Sequence, residues 1–167
     1  VLKHEVTLAM EYELPMTVAI IDIDHFKEIN DSWGHMVGDR AIKHVAELLS
    51  DNIRSSDYIF RYGGEEFLLV LTDIDRQHAL LRLDAFRQSV SKLVLHHRGQ
   101  ALPGMTVSIG LALFPDHGRH AAELVTAADQ ALYRAKHSGR NRVVLAGEGD
   151  EGDAPHDNAP PAPAEAD

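Results

Sequence analysis

The chain has 167 residues, 44% of them hydrophobic and 25% charged, which is typical of one soluble globular domain. Its formal net charge of −10 argues against a general nucleic-acid binder, because such proteins usually carry a basic face. The absence of cysteine excludes disulfides, thiolate zinc sites and cysteine nucleophiles. No apolar run reaches the ~18 residues that a membrane span needs, so we expect no direct membrane contact from this segment. The first residue is Val1 rather than methionine, so we expect a piece of a longer protein.

The acidic residues are concentrated in the last part of the chain. Residues 147–167 hold 7 of the 26 acids and 4 of the 7 prolines, without any lysine or arginine. This acidic Pro/Ala/Gly segment has no apolar periodicity, so it cannot bury enough surface to offset the entropy lost on ordering. We therefore predict a disordered tail from residue 147 and a folded domain over residues 1–146. The folded part then has 19 acids against 16 bases.

Apolar spacing predicts the elements in chain order. They are a helix over 1–13, a buried strand Val18–Ile23, a polar segment His25–Gly38, a helix Asp39–Ile53, two strand-like runs Tyr58–Tyr62 and Phe67–Leu71, a helix over 76–95, a strand Met105–Phe114, a helix over 121–136 and a short strand Arg142–Leu145. This order predicts one α/β (α+β) layer sandwich, with a mixed, mostly antiparallel central sheet flanked by helices.

Three acids fall where the backbone turns. Asp22 ends the first apolar strand, and Glu65 and Glu66 follow Gly63-Gly64 at the tip of a predicted hairpin. Hard cations such as Mg²⁺ take oxygen ligands, usually one or two carboxylates plus substrate phosphates. The spacing alone favours the simpler alternative, in which the glycines make a turn and the acids are its solvated rim.

Six segments, in order, resemble one known family. They are Asp22–Asp31 (DIDHFKEIND), Gly34–Asp39 (GHMVGD), Arg61–Phe67 (RYGGEEF), Val107–Gly110 (VSIG), Ala128–Lys136 (ADQALYRAK) and Gly139–Asn141 (GRN). Together they resemble the GGDEF domain family, the diguanylate cyclases, in its GGEEF form. The DxLTxLxNR segment that usually precedes the first helix is absent, so residues 1–146 resemble an N-terminally truncated domain.

The resemblance implies a fold similar to the palm of nucleotidyl cyclases and polymerases. It also implies that two GTP molecules are joined into cyclic di-GMP with release of pyrophosphate. Each domain would bind one GTP and two domains would face each other, so a homodimer is expected. A covalently linked upstream sensory domain and a cytoplasmic location for this domain are expected as well. The resemblance leaves open whether the parent protein is anchored to a membrane.

The resemblance also assigns the metal and catalytic residues. Asp22 and Glu65 would be the carboxylate ligands of Mg²⁺, with Mn²⁺ as an alternative, and the carbonyl of Ile23 would be a third ligand. Glu66 would activate the 3′-hydroxyl or bind a second metal ion. Nucleotidyl transfer needs positioning and charge neutralisation more than covalent help, so these residue types suit the reaction.

Further residues would bind the triphosphate. Gly63 and Gly64 have no side chain, so the backbone could approach the phosphates closely. Lys136 and Arg140 are four residues apart near a helix end, which would place both cations on one helical face. The alternative for this pair is that the cations complement the helix dipole. Phe26 and Lys27 would pack and position the loop around the triphosphate.

Guanine recognition is implied for two polar residues. A carboxylate at Asp39 could accept hydrogen bonds from the guanine N1–H and amino group, whereas the Asn30 amide could donate and accept. Adenine lacks that amino group, so these residues disfavour an enzyme that uses another nucleotide. The alternatives are that Asp39 caps a helix and that Asn30 lies in a loop.

An inhibitory site is implied by Arg54-Ser55-Ser56-Asp57, which resembles the family's RxxD motif. Arg54 could bind a product phosphate and Asp57 could accept from a guanine edge. The alternative is an arginine that closes the preceding helix and an aspartate in a turn. Relatives often add an arginine at the position of Ala85, and here Arg87 lies two residues further on, so weaker product binding is expected. A non-catalytic module that binds GTP or cyclic di-GMP remains the second interpretation of the whole chain.

Overall fold

The computed structural model describes residues 1–148, so the predicted disordered tail lies outside the described residues from position 149 onward. Within this range the helices are α1 (Leu2–Tyr12), α2 (Phe26–Trp33), α3 (His35–Asn52), α4 (Arg76–Ser91) and α5 (Ala121–His137). The strands are β1 (Met16–Ile23), β2 (Tyr58–Arg61), β3 (Glu66–Thr72), β4 (His96–His97), β5 (Gln100–Ala101), β6 (Val107–Phe114) and β7 (Val143–Leu145).

Five strands form the central sheet in the order β2-β3-β1-β6-β7. The central strand β1 is antiparallel to both β3 and β6, and only the β6–β7 pair in this sheet is parallel. Strands β4 and β5 form a separate two-stranded hairpin. The predicted mixed, mostly antiparallel sheet flanked by helices is therefore confirmed.

Strand β1 is buried on both faces of the sheet. Side chains alternate along a strand, so Ala19, Ile21 and Ile23 pack with α3 and α4. Val18 and Ile20 pack on the other face with α1 and α5. This double-sided burial explains the continuous apolar run in the sequence. It also directs the next even-numbered residue, Asp22, to the face that α5 covers.

Helix α5 packs directly on the backbone of β6 at Gly110. A methyl group at Gly110 would lie 2.1 Å from the backbone nitrogen of Leu132 and 2.2 Å from the carbonyl oxygen of Ala128. Real side chains do not tolerate such distances, so only glycine allows this approach. The contact fixes α5 against the sheet and sets where its last turn, with Lys136, meets the end of β1.

Two segments differ from the sequence prediction. The polar segment His25–Gly38 contains α2 and the first turn of α3, so Asn30 lies on a helix and Asp39 is not a helix cap. Helix α2 has no fully buried residue, and its Phe26 and Ile29, three positions apart, pack partly buried against the core. The predicted helix over 76–95 ends at Ser91, and the unpredicted β4–β5 hairpin follows. No helix within the described range is long and apolar enough to cross a bilayer.

Candidate functional site

Two carboxylates lie directly opposite each other at the end of the sheet. In the antiparallel β1–β3 register, Asp22 pairs with Glu66. Residues paired in this way have Cβ atoms only about 4.5–5.5 Å apart on the same face of the sheet. Two like charges at this spacing repel each other, so the pair favours a cation between or beside it.

Lys136, in the last turn of α5, contacts the Asp22 member of this pair. Its Nζ donates a hydrogen bond of 2.6 Å to Asp22 Oδ2, and only 6% of the Asp22 side chain is exposed. Burial raises the pKa of Asp22 to about 6, Lys136 opposes that rise, and the charges of Glu65 and Glu66 add to it. The carboxylate of Asp22 is therefore incompletely compensated by the protein itself.

The hairpin tip brings Glu65 to the same place. The carbonyl of Glu65 accepts a hydrogen bond from the amide of Ile23, and the carbonyl of Gly64 accepts two from the Arg61 guanidinium. A methyl group at Gly63 would lie 2.8 Å from Glu66 Oε2, so glycine leaves room for that carboxylate. No atom lies within 4 Å of the same point at Gly64, so its outer side is open.

The donor set fits a hard divalent cation. Asp22, Glu65 and Glu66 offer only oxygen atoms, and the mutual repulsion of their carboxylates would be relieved by a cation. Within residues 1–148, however, no three acidic or histidine side chains form a preassembled metal cluster. This agrees with the way Mg²⁺ is usually bound, by one or two carboxylates together with substrate phosphates.

Helices α2 and α3 bring Asn30 and Asp39 to one junction. A methyl group at Gly38 would lie 1.8 Å from Asn30 Oδ1 and 3.2 Å from the Phe26 ring, so glycine is required for the two helices to meet. Asn30 Oδ1 is buried and has no hydrogen-bond partner in the described part of the chain. Asp39 follows Gly38 and is exposed. Lys27 is exposed in the first turn of α2.

The expected helical pairing of Lys136 with Arg140 is wrong. Helix α5 ends at His137, and Arg140 lies beyond it with a backbone φ of 61°. Its amide still donates to the carbonyl of Ala135, so the chain folds back on the helix end. The glycine at position 139 allows this reversal with a φ of 122°. Arg140 therefore lies in a loop and not on the helical face that carries Lys136.

Asp24 is a buried polar residue that the sequence reasoning did not single out. It follows the end of β1 and is 4% exposed. Its carboxylate accepts hydrogen bonds from the hydroxyls of Thr106 and Ser108 and from the amide of Asn141. The signal in the sequence was the pair of aspartates on either side of Ile23, at the end of a mainly apolar strand.

The structure does not present Asp57 to a ligand. Its side chain has no exposed surface, and its Oδ2 accepts from the Arg54 amide at 2.9 Å and from Arg82 Nη2 at 2.8 Å. Its Oδ1 accepts from the Thr72 amide at 3.2 Å. The carboxylate is used inside the domain in this arrangement, so the expected guanine contact would have to compete with these hydrogen bonds. Arg54 itself is exposed.

The arginine that reaches the RxxD segment is Arg82 of α4. Arg87 instead bonds to Asp84 and Asn141, so it does not substitute for the arginine missing at Ala85. Arg82 lies one helical turn before Ala85, and residues three apart share a face. Arg82 therefore shares a face of α4 with Ala85.

The family profile described as "Diguanylate cyclase, GGDEF domain" matches residues 1–142. The chain belongs to the GGDEF domain family. Among curated relatives, this GGDEF domain is 43% identical to "Diguanylate cyclase DosC" of Escherichia coli (strain K12) over 145 residues, which is 87% of this chain and 31% of the relative. It is 42% identical to "Probable diguanylate cyclase DgcT" of the same strain over 138 residues, which is 82% of this chain and 30% of that protein.

Solved structures of GGDEF domains are similar as well. The GGDEF domain of DgcB from Caulobacter crescentus, solved with c-di-GMP, is 35% identical, with a TM-score of 0.83 and coverage of 87% of this chain and 85% of that one. The active GGEEF domain of a diguanylate cyclase from Vibrio cholerae is 29% identical, with a TM-score of 0.80 and coverage of 87% and 91%. The chain thus spans about a third of the length of these curated relatives but most of the length of these solved domains.

Proposed function

We propose that this chain is the catalytic domain of a diguanylate cyclase, which condenses two GTP molecules into cyclic di-GMP and releases two pyrophosphates. The observation that carries the proposal is the direct opposition of Asp22 and Glu66 across β1 and β3, next to Lys136. This arrangement places a concentrated negative charge, one cation and a glycine turn together at one end of the central strands. Membership of the GGDEF family supports the same reaction.

Mg²⁺, or Mn²⁺ as an alternative, would be held by Asp22, Glu65 and the Ile23 carbonyl, with Glu66 beside them. When bound, such an ion neutralises charge on the triphosphate oxygens. Glu66 accepts the proton of a 3′-hydroxyl, whose oxygen then attacks the α-phosphate of the other GTP. The bond from that phosphate to pyrophosphate breaks as the new ester bond forms.

Substrate binding is divided between the two ends of the site. The backbone at Gly63 and Gly64 and the cations of Lys136 and Arg140 bind the triphosphate. The base lies at the α2–α3 junction, where Asn30 and Asp39 read the guanine edge. Phe26 packs this junction against Gly38, and Lys27 contributes charge at its rim.

Catalysis between two GTP molecules requires two domains to face each other, so the active species is a homodimer of half-sites. A covalently linked upstream domain would control how the two copies meet, and it fits the larger size of the curated relatives. The domain would work in the cytoplasm, with GTP as its substrate. Product feedback at the RxxD segment would use the exposed Arg54 as its phosphate contact, and Asp57 would have to release an internal partner to take part.

The decisive experiment is product identification by mass spectrometry after incubation with GTP and Mg²⁺, repeated over a range of enzyme concentrations. We expect cyclic di-GMP and pyrophosphate, with turnover that rises more steeply than linearly with enzyme concentration. Glu66→Gln should reduce turnover by ~10²-fold or more, since it removes a group that acts in the transition state. The matched control is Glu47→Gln, because Glu47 is an exposed residue of α3.

Full activity in Glu66→Gln would contradict the mechanism. Calorimetric binding of GTP or cyclic di-GMP without any product would instead favour a non-catalytic signalling module. Equal use of ATP and GTP would contradict the assignment of Asn30 and Asp39 to the base.

A further inference from the structure

The loop that follows α5 has an unusual backbone. Three consecutive residues, Gly139, Arg140 and Asn141, have φ values of 122°, 61° and 46°. For residues with a side chain the left-handed region costs roughly 1–2 kcal/mol each, although asparagine tolerates it better than most. Such a conformation persists only where surrounding contacts impose it. The contacts that hold this loop therefore fix the backbone position from which the Arg140 side chain extends.

Both ends of the loop are tied to the rest of the domain. The Arg140 amide donates to the Ala135 carbonyl at 2.9 Å, which fixes it to α5. The Asn141 amide donates to Asp24 Oδ2 at 3.0 Å, which fixes it to the end of β1. The Asn141 side-chain oxygen also accepts from Arg87 Nη1 at 2.8 Å. Arg140 is thus clamped between a helix end and a buried carboxylate.

Hydrogen bonds from within the domain hold the Asp24 carboxylate in place. Thr106 Oγ1 donates to the same oxygen that Asn141 uses, at 2.7 Å, and Ser108 Oγ donates to the other oxygen at 2.6 Å. Both carboxylate oxygens therefore have partners within the domain, and the residue is 4% exposed. The two hydroxyl groups orient the carboxylate so that its Oδ2 also accepts the hydrogen bond from the Asn141 amide.

We propose that Asp24 is a positioning residue for the nucleoside triphosphate: it anchors the Asn141 amide and thereby holds Arg140 where its guanidinium meets the outer phosphates. Asn141, bonded to Arg87 on its other side, is the second member of this support. The inference rests on the proposed function, because the phosphate role of Arg140 is part of that proposal. It adds a reason why the two aspartates flanking Ile23 differ: Asp22 faces Lys136 and the reaction, whereas Asp24 faces the loop.

The first test measures the affinity of the full chain for Mg²⁺–GTP and for GMP, in the wild type and in Asp24→Ala. We expect Asp24→Ala to weaken GTP binding by roughly tenfold to a hundredfold, the range of a lost charge-assisted contact, and to leave GMP binding within about twofold. The matched control is Ser108→Ala, which removes another hydrogen bond to the same carboxylate but leaves the Asn141 contact. Asp24→Asn should restore most of the GTP affinity, because its oxygen can still accept from Asn141 while its amide donates to Ser108.

The second test is a double-mutant cycle with Arg140→Ala. If Asp24 acts through Arg140, Asp24→Ala should add little to the loss already caused by Arg140→Ala. An equal loss of GTP affinity in both backgrounds would overturn the proposal, and so would a Ser108→Ala variant as weak as Asp24→Ala.

Two further measurements do not depend on catalysis, and the second of them uses an exposed position. Amide exchange followed by NMR should show the Asn141 N–H protected in the wild type and unprotected in Asp24→Ala. Asn141→Ala, at an exposed position, should weaken GTP binding in the same sense as Asp24→Ala. Wild-type GTP affinity in Asn141→Ala, or an unprotected Asn141 amide in the wild type, would overturn the inference.

Product formation separates this inference from the proposed function. A wild type that binds GTP with the expected mutational pattern but makes no cyclic di-GMP would refute the function and retain the positioning role. A wild type that makes cyclic di-GMP and loses no GTP affinity on Asp24→Ala would do the reverse. A wild type that binds no GTP would overturn both.

Discussion

Lys136 Nζ lies 2.6 Å from Asp22 Oδ2, so a hydrogen bond joins the last turn of α5 to the carboxylate near the end of β1. Lys136 occupies one oxygen of a carboxylate that we assign to metal binding. A cation that binds Asp22 therefore competes with an ammonium group that the fold already supplies. The freed ammonium would then be available to the triphosphate, where the proposed reaction needs positive charge.

The raised pKa of Asp22 predicts how stability depends on pH without added metal. The pKa is about 6 in the folded protein against an ordinary value of 3.8, so the folded state holds the proton more tightly than the unfolded state does. Ionisation of Asp22 therefore costs stability progressively between about pH 4 and pH 6, by roughly 3 kcal/mol in total. The full cost is present above pH 6 and is absent below the unfolded pKa.

Asp22→Asn should therefore melt at a higher temperature than the wild type at pH 8 and at the same temperature at pH 4, measured in the presence of a chelator. Asp129→Asn, at an exposed position of the same helix as Lys136, is the matched control and should show no such trend. A wild type that gains stability relative to Asp22→Asn as the pH rises from 4 to 8 would contradict the assigned direction.

Gly38→Ala should weaken the preference for guanine. The added methyl group would lie 1.8 Å from Asn30 Oδ1, so Asn30 must leave its place at the α2–α3 junction. We expect the selectivity for GTP over ATP, measured by competition, to fall by roughly tenfold, the effect of about 1.4 kcal/mol of discrimination. Gly104→Ala is the control, because no atom lies within 4 Å of its added methyl group. Unchanged selectivity in a folded Gly38→Ala variant would argue against base recognition at this junction.

Substitutions of Asp57 and Arg54 should have different effects, the first on stability and the second on product binding. Asp57→Ala leaves Arg82 without its buried partner and should lower the free energy of unfolding by about 3 kcal/mol or more, measured by urea denaturation. Arg54→Ala removes an exposed side chain and should leave unfolding nearly unchanged while it weakens cyclic di-GMP binding in calorimetry. The opposite pattern, a stable Asp57→Ala variant that loses product affinity, would show that Asp57 faces the ligand.

The sequence was sufficient for the features that depend on local patterns. The apolar run before Asp22 predicted a doubly buried strand, and Gly63-Gly64 predicted the hairpin that carries Glu65 and Glu66. Strand register is a different matter, because a shift of one residue exchanges the two faces. Only the structure shows that Glu66, rather than Glu65, lies directly opposite Asp22.

Other features depend on contacts between distant segments. The short helix α2 has eight residues, and its Asn30 and Asp31 are residue types typical of turns, so the sequence alone favoured a polar loop here. The left-handed turn at Gly139–Asn141 moves Arg140 off the helical face that spacing alone suggested. Likewise, the bond between Arg82 and Asp57 joins residues 25 positions apart, and no local rule predicts which arginine of α4 reaches that carboxylate.

Helix α4 is fastened at two places, through Arg82 to the RxxD segment and through Arg87 to the loop that carries Arg140. Arg87 lies five positions after Arg82, which is a rise of about 7.5 Å along the helix axis. Substitutions around Arg82 that are meant to abolish product feedback must therefore leave the position of α4 along its own axis unchanged. A shift of α4 by one residue would break the hydrogen bond from Arg87 to Asn141, so it would alter the loop that carries Arg140 as well as the RxxD segment.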